Sequence, residues 1–405
     1  MERRIRERGT ILLAIVGVLF VAFLAYGDKI FDNFITYPEL ANVSGTDWAF
    51  DEYADYFENL ARDKDAKYAF NVLRVAKLQP GTDLHLLGHV VGDILYKQKG
   101  IDGIYSCTHD FRNACSHSIV TGLFAEKGID ALDEISDVCR QAPGGKGAYT
   151  MCFHGLGHGV LAYTLYDLTK AVSLCEKTGT AEYQNREYAE CVGGEIMELI
   201  SGGQHDENAW RAKRPTYLST RNPLHPCDSD IIPDFVKPIC YTYLTPYLFE
   251  VAGADLGAPT PENFREAFTY CNLLPKDDTI NRDACYGGFG KEFVVLAGAR
   301  DIRDIGSLHE EELALVHEWC GLANDTLGEG SCTVSALRSL FWGGENNPDA
   351  SFAFCSTVPD RLKDACYGEL ATAIQFFLGG QPEKGTLCGR LPEAYRSFCL
   401  AQPAS

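Results

Sequence analysis

The sequence predicts an all-α protein in which an N-terminal membrane-anchor helix precedes an array of disulfide-stapled α-hairpins. Three observations support this prediction. An apolar, uncharged segment follows an arginine-rich N-terminus, the 16 cysteines fall into pairs of close sequence neighbours, and the residues that flank those pairs recur along the chain. Because a recurring supersecondary unit is typical of repeat architectures, we expect a helical solenoid.

The N-terminal segment is predicted to span a membrane. Residues 11–27, ILLAIVGVLFVAFLAYG, form an apolar run at the short end of what a membrane-spanning helix requires. Arginines are frequent in residues 1–10, so the positive-inside rule places that tail in the cytoplasm and everything after Gly27 outside. A cleaved signal peptide, with Ala25 and Gly27 as the small residues before the cut, is the alternative and exports the same part of the chain.

The amino-acid composition indicates the cellular compartment and excludes some classes of binding partner. An even number of cysteines, 16, in an exported chain predicts disulfides, which form in oxidising compartments such as the periplasm or the cell surface. The net charge of −20, with the basic residues scattered, argues against nucleic acid and anionic lipid surfaces as partners. We therefore expect a membrane-anchored protein whose bulk is extracytoplasmic and which contacts the membrane through its N-terminal helix.

The cysteine pairs organise the exported part into hairpins. An amphipathic stretch precedes the first cysteine of a pair, and an apolar stretch that ends at glycine follows the second, as in CYGGFGKEFVVLAG and CYGELATAIQFFLGG. We expect one helix to end near the first cysteine, and a second helix to begin at the second cysteine and end at the glycine. The predicted disulfides are Cys107–Cys115, Cys139–Cys152, Cys175–Cys191, Cys227–Cys240, Cys271–Cys285, Cys320–Cys332, Cys355–Cys366 and Cys388–Cys399.

Three exported segments follow from this pattern. Residues 28–81 are predicted as a juxtamembrane linker and helix, residues 82–165 as histidine-rich repeats, and residues 166–405 as the remaining Cys-paired repeats with a C-terminal cap. Only LAQPAS follows Cys399, so we expect the last hairpin to lack its second helix. The architecture resembles tetratricopeptide or Sel1-like arrays, although the tetratricopeptide signature residues are absent, and this resemblance implies a solenoid. A non-repetitive helical domain with incidental disulfides is the alternative.

Histidines are concentrated in the first repeats. Most of the 10 histidines lie between residues 85 and 158, and the segments DLHLLGHVVGDILY and CFHGLGHGVLAYTLY both have the spacing H-x3-H. Residues four apart share one face of a helix, so two imidazoles there can bind one ion. Later repeats have other residue types where His117 and His154 stand, so the repeat itself does not require histidine. The candidate metal ligands are His85, His89, His109, His117, His154 and His158.

These histidines are expected to form one transition-metal site. We expect His85, His89, His154 and His158 to converge on one pocket, with His117 near its rim, because helices of adjacent repeats touch and the glycines beside the histidines allow close approach. Several imidazoles with a nearby acid suit zinc, iron or copper better than magnesium or calcium. The GLGHG segment is not a phosphate loop, since no predicted strand precedes it and it lacks the lysine and hydroxyl residue of that motif.

Carboxylates near the histidines are candidates for catalysis. Glu195 lies one repeat beyond His154 if the repeats stack in order, and we predict it as the catalytic acid or base. Asp93, four residues after His89, is a candidate ligand or a hydrogen-bond partner of one. For Glu198 an interaction with the helix dipole is the favoured interpretation.

Three functions fit the sequence. The first is an extracytoplasmic metalloprotein, either a hydrolase or an oxidase, whose metal activates water or dioxygen. The second is a repeat scaffold that binds a protein or peptide partner on its array. The third is metal handling without catalysis. The restriction of the clustered histidines to two repeats favours a metal site over a scaffold, and it leaves catalysis, substrate and metal identity open.

Overall fold

A computed structural model of the chain describes residues 37–108, 110–141, 145–202, 206–303, 305–343, 348–378 and 381–401. The predicted tail at 1–10, the predicted anchor at 11–27 and His109 lie outside the described residues. Within the described part of the chain, no helix is both long and apolar enough to cross a membrane.

The chain divides into two compact units. In the smaller unit, described residues 37–46 and 75–78 are joined by a 2.8 Å hydrogen bond from the Gly45 N–H to the Lys77 carbonyl. The larger unit consists of residues 47–74 and the chain from Gln79 onward, and it contains every cysteine.

The described residues are helical and contain no β-strand, apart from one isolated bridge between Ser219 and Asn222. The α-helices are α1 Leu40–Val43, α2 Phe50–Asp63, α3 Ala66–Val75, α4 Leu84–Lys99, α5 Ala114–Lys127, α6 Leu132–Cys139, α7 Gly145–Tyr163, α8 Leu168–Cys175, α9 Arg186–Ser201, α10 Glu207–Tyr217, α11 Lys237–Val251, α12 Pro261–Cys271, α13 Thr279–Ala297, α14 Glu310–Cys320, α15 Thr326–Gly343, α16 Asp349–Thr357, α17 Asp360–Phe377, α18 Glu383–Arg390 and α19 Glu393–Leu400.

Disulfides join the neighbouring cysteines as predicted. All eight predicted pairs are bonded, and no cysteine is free. Four helices end at the first cysteine of a pair, and these cysteines are Cys139, Cys175, Cys271 and Cys320. The local stapling of helical hairpins is therefore confirmed.

Except in α5, which begins at Ala114 beside Cys115 as predicted, the second helix starts earlier than predicted. In α13 the helix begins at Thr279, more than a turn before Cys285. Asp278 caps it by accepting a 3.3 Å hydrogen bond from the Asn281 N–H, and an aspartate at this position favours a helix start. The disulfide therefore joins the end of one helix to the interior of the next. The expected absence of a second helix in the last hairpin is also wrong, because α19 is present.

The longer helices of successive hairpins pack in chain order. Helix α4 contacts α5, α5 contacts α7, α7 contacts α9, and the series continues through α11, α13, α15 and α17 to α19. Distant parts of the chain also meet, since Arg112 donates a 2.9 Å hydrogen bond to the Ser339 hydroxyl and Arg300 pairs with Asp83 at 2.7 Å. Each repeat of a linear array touches only its neighbours, so the solenoid arrangement stays a prediction.

Candidate metal centre

Three long helices that pack in series carry the histidine cluster, by which we mean His85 and His89 on α4, His117 on α5, and His154 and His158 on α7. Helix α5 contacts both α4 and α7. The expectation that the two H-x3-H helices are direct neighbours, with His117 at the rim, is therefore corrected: His117 lies between the two pairs.

Glycine allows these helices to approach closely. A Cβ atom on Gly155 would lie 2.6 Å from the Cα of His117, and one on Gly88 would lie 2.8 Å from the Cβ of Ala114. Both distances are shorter than real Cβ contacts, so a side chain at either position would push α5 away from its neighbour. The glycines beside the histidines thus bring the imidazoles of the three helices together.

His85, His89 and His117 form the tightest group in the cluster, which we call the histidine triad. Each offers a ring nitrogen, and these nitrogens all lie within 4.8 Å of one another. The ring centroids of His85 and His89 are 4.7 Å apart, and that of His117 lies 5.6 Å and 5.5 Å from them. This group could hold a metal ion.

A hydrogen bond determines which nitrogen of His85 carries the proton. Nδ1 of His85 lies 2.6 Å from the Phe111 carbonyl oxygen, which can only accept, so this nitrogen is protonated. The Ser118 hydroxyl donates to the His89 carbonyl at 3.0 Å. Nδ1 of His89 lies 3.2 Å from that hydroxyl oxygen, within hydrogen-bond distance. In His85, Nε2 therefore carries the lone pair.

The Nε2 atoms of His85 and His89 face each other at 3.2 Å. Without a metal, Nε2–H of one ring donates a hydrogen bond to the other, and a bound metal ion would replace that proton. Two imidazoles bound tetrahedrally to one ion at about 2.0–2.1 Å would place their nitrogens about 3.3 Å apart. The two nitrogens are thus spaced so that both can bind one metal ion without a large movement of either ring.

His154 and His158 lie beside the triad. The ring centroid of His158 is 5.8 Å from that of His89, and the centroid of His154 is 5.8 Å from that of His117. The two rings are 5.3 Å apart. The five imidazoles therefore form one continuous cluster, in which the nitrogens of the triad are the closest.

A buried carboxylate orients His158. Nδ1 of His158 donates to Oε2 of Glu198 at 3.1 Å, and the Tyr166 hydroxyl donates to Oε1 of the same carboxylate at 2.8 Å. This leaves Nε2 of His158 as the nitrogen with the lone pair. Carboxylates hold metal-bound histidines in this manner, so Glu198 has a defined role next to the candidate centre.

Several nitrogens of the cluster are buried without a hydrogen-bond partner among the described residues. They are both ring nitrogens of His117, Nδ1 of His154 and Nε2 of His158. A buried polar atom left without a partner costs about 1–3 kcal/mol. Burial lowers the pKa of His85 to about 4 and the pKa values of His117 and His154 well below the usual range. These imidazoles are thus neutral at pH 7, the form that binds metal.

Glu195, the predicted catalytic acid, directs its carboxylate at a disulfide. Its Oε1 lies 2.9 Å from Sγ of Cys175, which is bonded to Cys191, and its Oε2 is buried without a hydrogen-bond partner in the described structure. Burial raises the pKa of Glu195 well above the usual range. Its position therefore does not support the predicted role. The three residues are close enough to hold an ion, but disulfide sulfurs offer no thiolate ligand.

Glu190 is an acid beside the cluster that the sequence did not reveal. Its Oε2 is buried, has no hydrogen-bond partner among the described residues and lies 4.0 Å from Nδ1 of His154. Burial raises the pKa of Glu190, although Arg186 opposes the shift. The signal that the sequence offers is the number of glutamates near Cys191. All of those on α9 are buried, and buried acids are rare: Glu187, Glu190, Glu195 and Glu198. Asp93 is half-buried one turn beyond His89.

Two adjoining cavities reach the imidazoles. One, of about 160 Å³, is lined by His85, His89, His158 and Glu198 among others. The other, of about 120 Å³, is lined by His85, His117 and His154, together with the charged residues Asp83, Arg112, Lys291, Glu292 and Arg300. A small molecule in either cavity would contact the histidine cluster directly.

The chain matches no protein-family model, and neither a curated protein nor a solved structure is similar to it. Its function is therefore inferred from the geometry of the candidate centre.

Proposed function

We propose that the protein is a membrane-anchored, extracytoplasmic metalloprotein that binds one transition metal ion, zinc, iron or copper, through His85, His89 and His117. The observation that carries the proposal is the convergence of three ring nitrogens, one from each of these histidines, within 4.8 Å of one another, with the Nε2 atoms of His85 and His89 3.2 Å apart. The neutral state of the imidazoles and the unpartnered nitrogens of His117 further support it.

Three protein ligands leave a coordination position open, which is typical of catalytic rather than structural zinc. A metal there would activate water or dioxygen, so we propose a hydrolase or an oxidase. The residues of the chain that border this position have separate roles. Glu198 fixes the orientation of His158, and Glu190, with its raised pKa, can hold or release a proton next to His154. The cavities give a small substrate access to the imidazoles.

The proposed location rests on the cysteines and on the N-terminal sequence. Eight disulfides favour an oxidising compartment, and the apolar run at 11–27 favours an anchor. We also propose that the stapled hairpins stack as a repeat array, with the packing of the longer helices in chain order as support. In this arrangement the first hairpins form the metal centre.

Metal analysis of full-length protein in detergent tests this function. After growth with ample zinc, iron and copper, the wild type is expected to contain stoichiometric transition metal. His117→Ala is expected to weaken metal binding more than about 100-fold, because loss of a ligand exceeds the 10- to 100-fold effect of losing a residue that only orients one.

His309→Ala is the matched control, since His309 is exposed at the start of α14, and it is expected to retain the metal. A metal-free wild type, or equal metal content in the two variants, would contradict the proposal and favour the scaffold function.

A further inference from the structure

Arg112 brings a positive charge to the cavity beside the histidine cluster without a carboxylate partner. Its Nη2 donates to the neutral Ser339 hydroxyl at 2.9 Å, and its Nε is buried without a hydrogen-bond partner among the described residues. Burial lowers the pKa of Arg112 and the negative charges of Glu292 and Asp83 oppose this shift, while a guanidinium stays charged in a protein. A poorly solvated charge without a direct ion pair is costly, so this position favours an anion in contact with it.

The backbone holds Arg112 in place at a cost. Phe111, Arg112 and Asn113 have φ values of 56°, 53° and 65°, all in the left-handed region. This conformation costs residues such as Phe111 and Arg112 roughly 1–2 kcal/mol each, whereas asparagine adopts it more readily. The same turn directs the Phe111 carbonyl to Nδ1 of His85. The position of Arg112 is therefore tied to that of the triad.

Lys291 and Arg300 line the same cavity from α13 and the turn after it. Lys291 is paired with Glu292, and Arg300 with Asp83 at 2.7 Å. Three cations thus face two carboxylates, which leaves Arg112 as the excess positive charge before any metal ion is counted.

A cation and a histidine of this cavity, Lys291 and His154, contact the same aromatic ring, that of Tyr243. Nζ of Lys291 lies 4.9 Å from the ring centroid of Tyr243. The same ring also contacts His154, whose ring centroid is 4.5 Å away at an interplanar angle of 35°. A ligand that contacts Lys291 therefore lies next to the histidine cluster.

We propose that this cavity binds the anionic group of the substrate, a phosphate or a carboxylate, with Arg112 as its principal partner and Lys291 and Arg300 beside it. The proposal rests on the proposed function and names its substrate class: a small molecule with an anionic oxygen group adjacent to the bond that reacts at the metal. The cavity of about 120 Å³ has room for an anionic group of this kind.

Calorimetric titration of inorganic phosphate and of acetate into zinc-loaded, full-length protein tests the proposal. The wild type is expected to bind at least one of the two, and the better ligand identifies the group. Arg112→Met is expected to weaken this binding about tenfold or more, as is usual when one partner of a buried charge pair is removed. Arg338→Met is the matched control. Arg338 pairs with Glu369 outside the cavity, so its loss removes the same charge and is expected to leave binding unchanged.

Zinc content and helicity are measured on the same samples. If Arg112→Met does not fold, Lys291→Met takes its place, with a smaller but measurable weakening expected. The anion site is overturned if neither anion binds the wild type, or if the cavity variant binds as well as Arg338→Met. Zinc binding without anion binding would refute only the anion site. Anion binding that depends on Arg112 in a protein unable to bind metal would refute only the metal function.

Discussion

Gly157→Ala is expected to lower the free energy of unfolding by about 3 kcal/mol or more, at the upper end of what overpacking usually costs. A Cβ on Gly157 would lie 1.9 Å from the carbonyl oxygen of Cys191, so α7 and α9 could not keep their present separation. The neighbouring atom is backbone rather than a flexible side chain, which leaves no cheap way to relieve the overlap. Denaturant unfolding followed by circular dichroism measures the effect.

Gly368→Ala is the matched control for this prediction. Gly368 also lies inside a helix, α17, but a Cβ there would have no heavy atom within 4 Å. Alanine at such a position is expected to stabilise the protein by roughly 0.5–1 kcal/mol. Equal effects of the two substitutions would show that the close approach of α7 and α9 is wrong.

Reduction of the disulfides is expected to unfold the protein at 37 °C. The pairs are separated by 8 to 16 residues, and closing a 15-residue loop is worth about 3 kcal/mol in the chain-entropy model. Eight such bonds together exceed the 5–15 kcal/mol by which proteins are usually stable, at about 3 kcal/mol each. Thermal melting with and without a phosphine reductant tests this, and an unchanged melting temperature would contradict it.

Removing one disulfide at a time shows which of them stabilise only their own hairpin and which also support the metal centre. Cys388→Ser with Cys399→Ser opens the last hairpin and is expected to cause only a small loss of helicity. Cys175→Ser with Cys191→Ser frees α8 from α9, the helix that orients His158 through Glu198. We expect this second pair to lower the melting temperature more and also to weaken metal binding.

The all-helical fold class and the disulfide pairing could be predicted because both depend on residues that are close together in the sequence. Cys271 and Cys285, for example, lie in recurring stretches whose patterns indicate a helix end and the helix that follows it. The start of the second helix was misplaced because the capping residue, here Asp278, lies before the cysteine and is not repeated in every hairpin. The anchor stays a prediction, since it lies outside the described residues.

The histidines of the candidate site could be predicted from the sequence, but their arrangement relative to one another could not. The described structure brings His85, His89, His117, His154 and His158 together, since their helices pack in series. The central place of His117 depends on helix order. Which acid reaches a histidine depends on how α9 is rotated against α7, and sequence spacing does not specify this rotation.

Arg112 illustrates a second limit of sequence reasoning. Arg112 lies in a turn of three residues with a left-handed backbone, none of which is glycine. Left-handed turns are usually indicated by glycine or asparagine; Asn113 gives this signal, but Phe111 and Arg112 do not. Such a residue can be assigned to a site only when the structure shows the cavity that it lines.

Anomalous X-ray diffraction at the absorption edge of the bound metal is the most direct test of the metal centre. Crystals of metal-loaded protein are expected to show one strong anomalous peak at about 2.0–2.1 Å from Nε2 of His85, Nε2 of His89 and a ring nitrogen of His117. The absence of a peak among these three rings, or a peak located elsewhere in the protein, would contradict the proposed site.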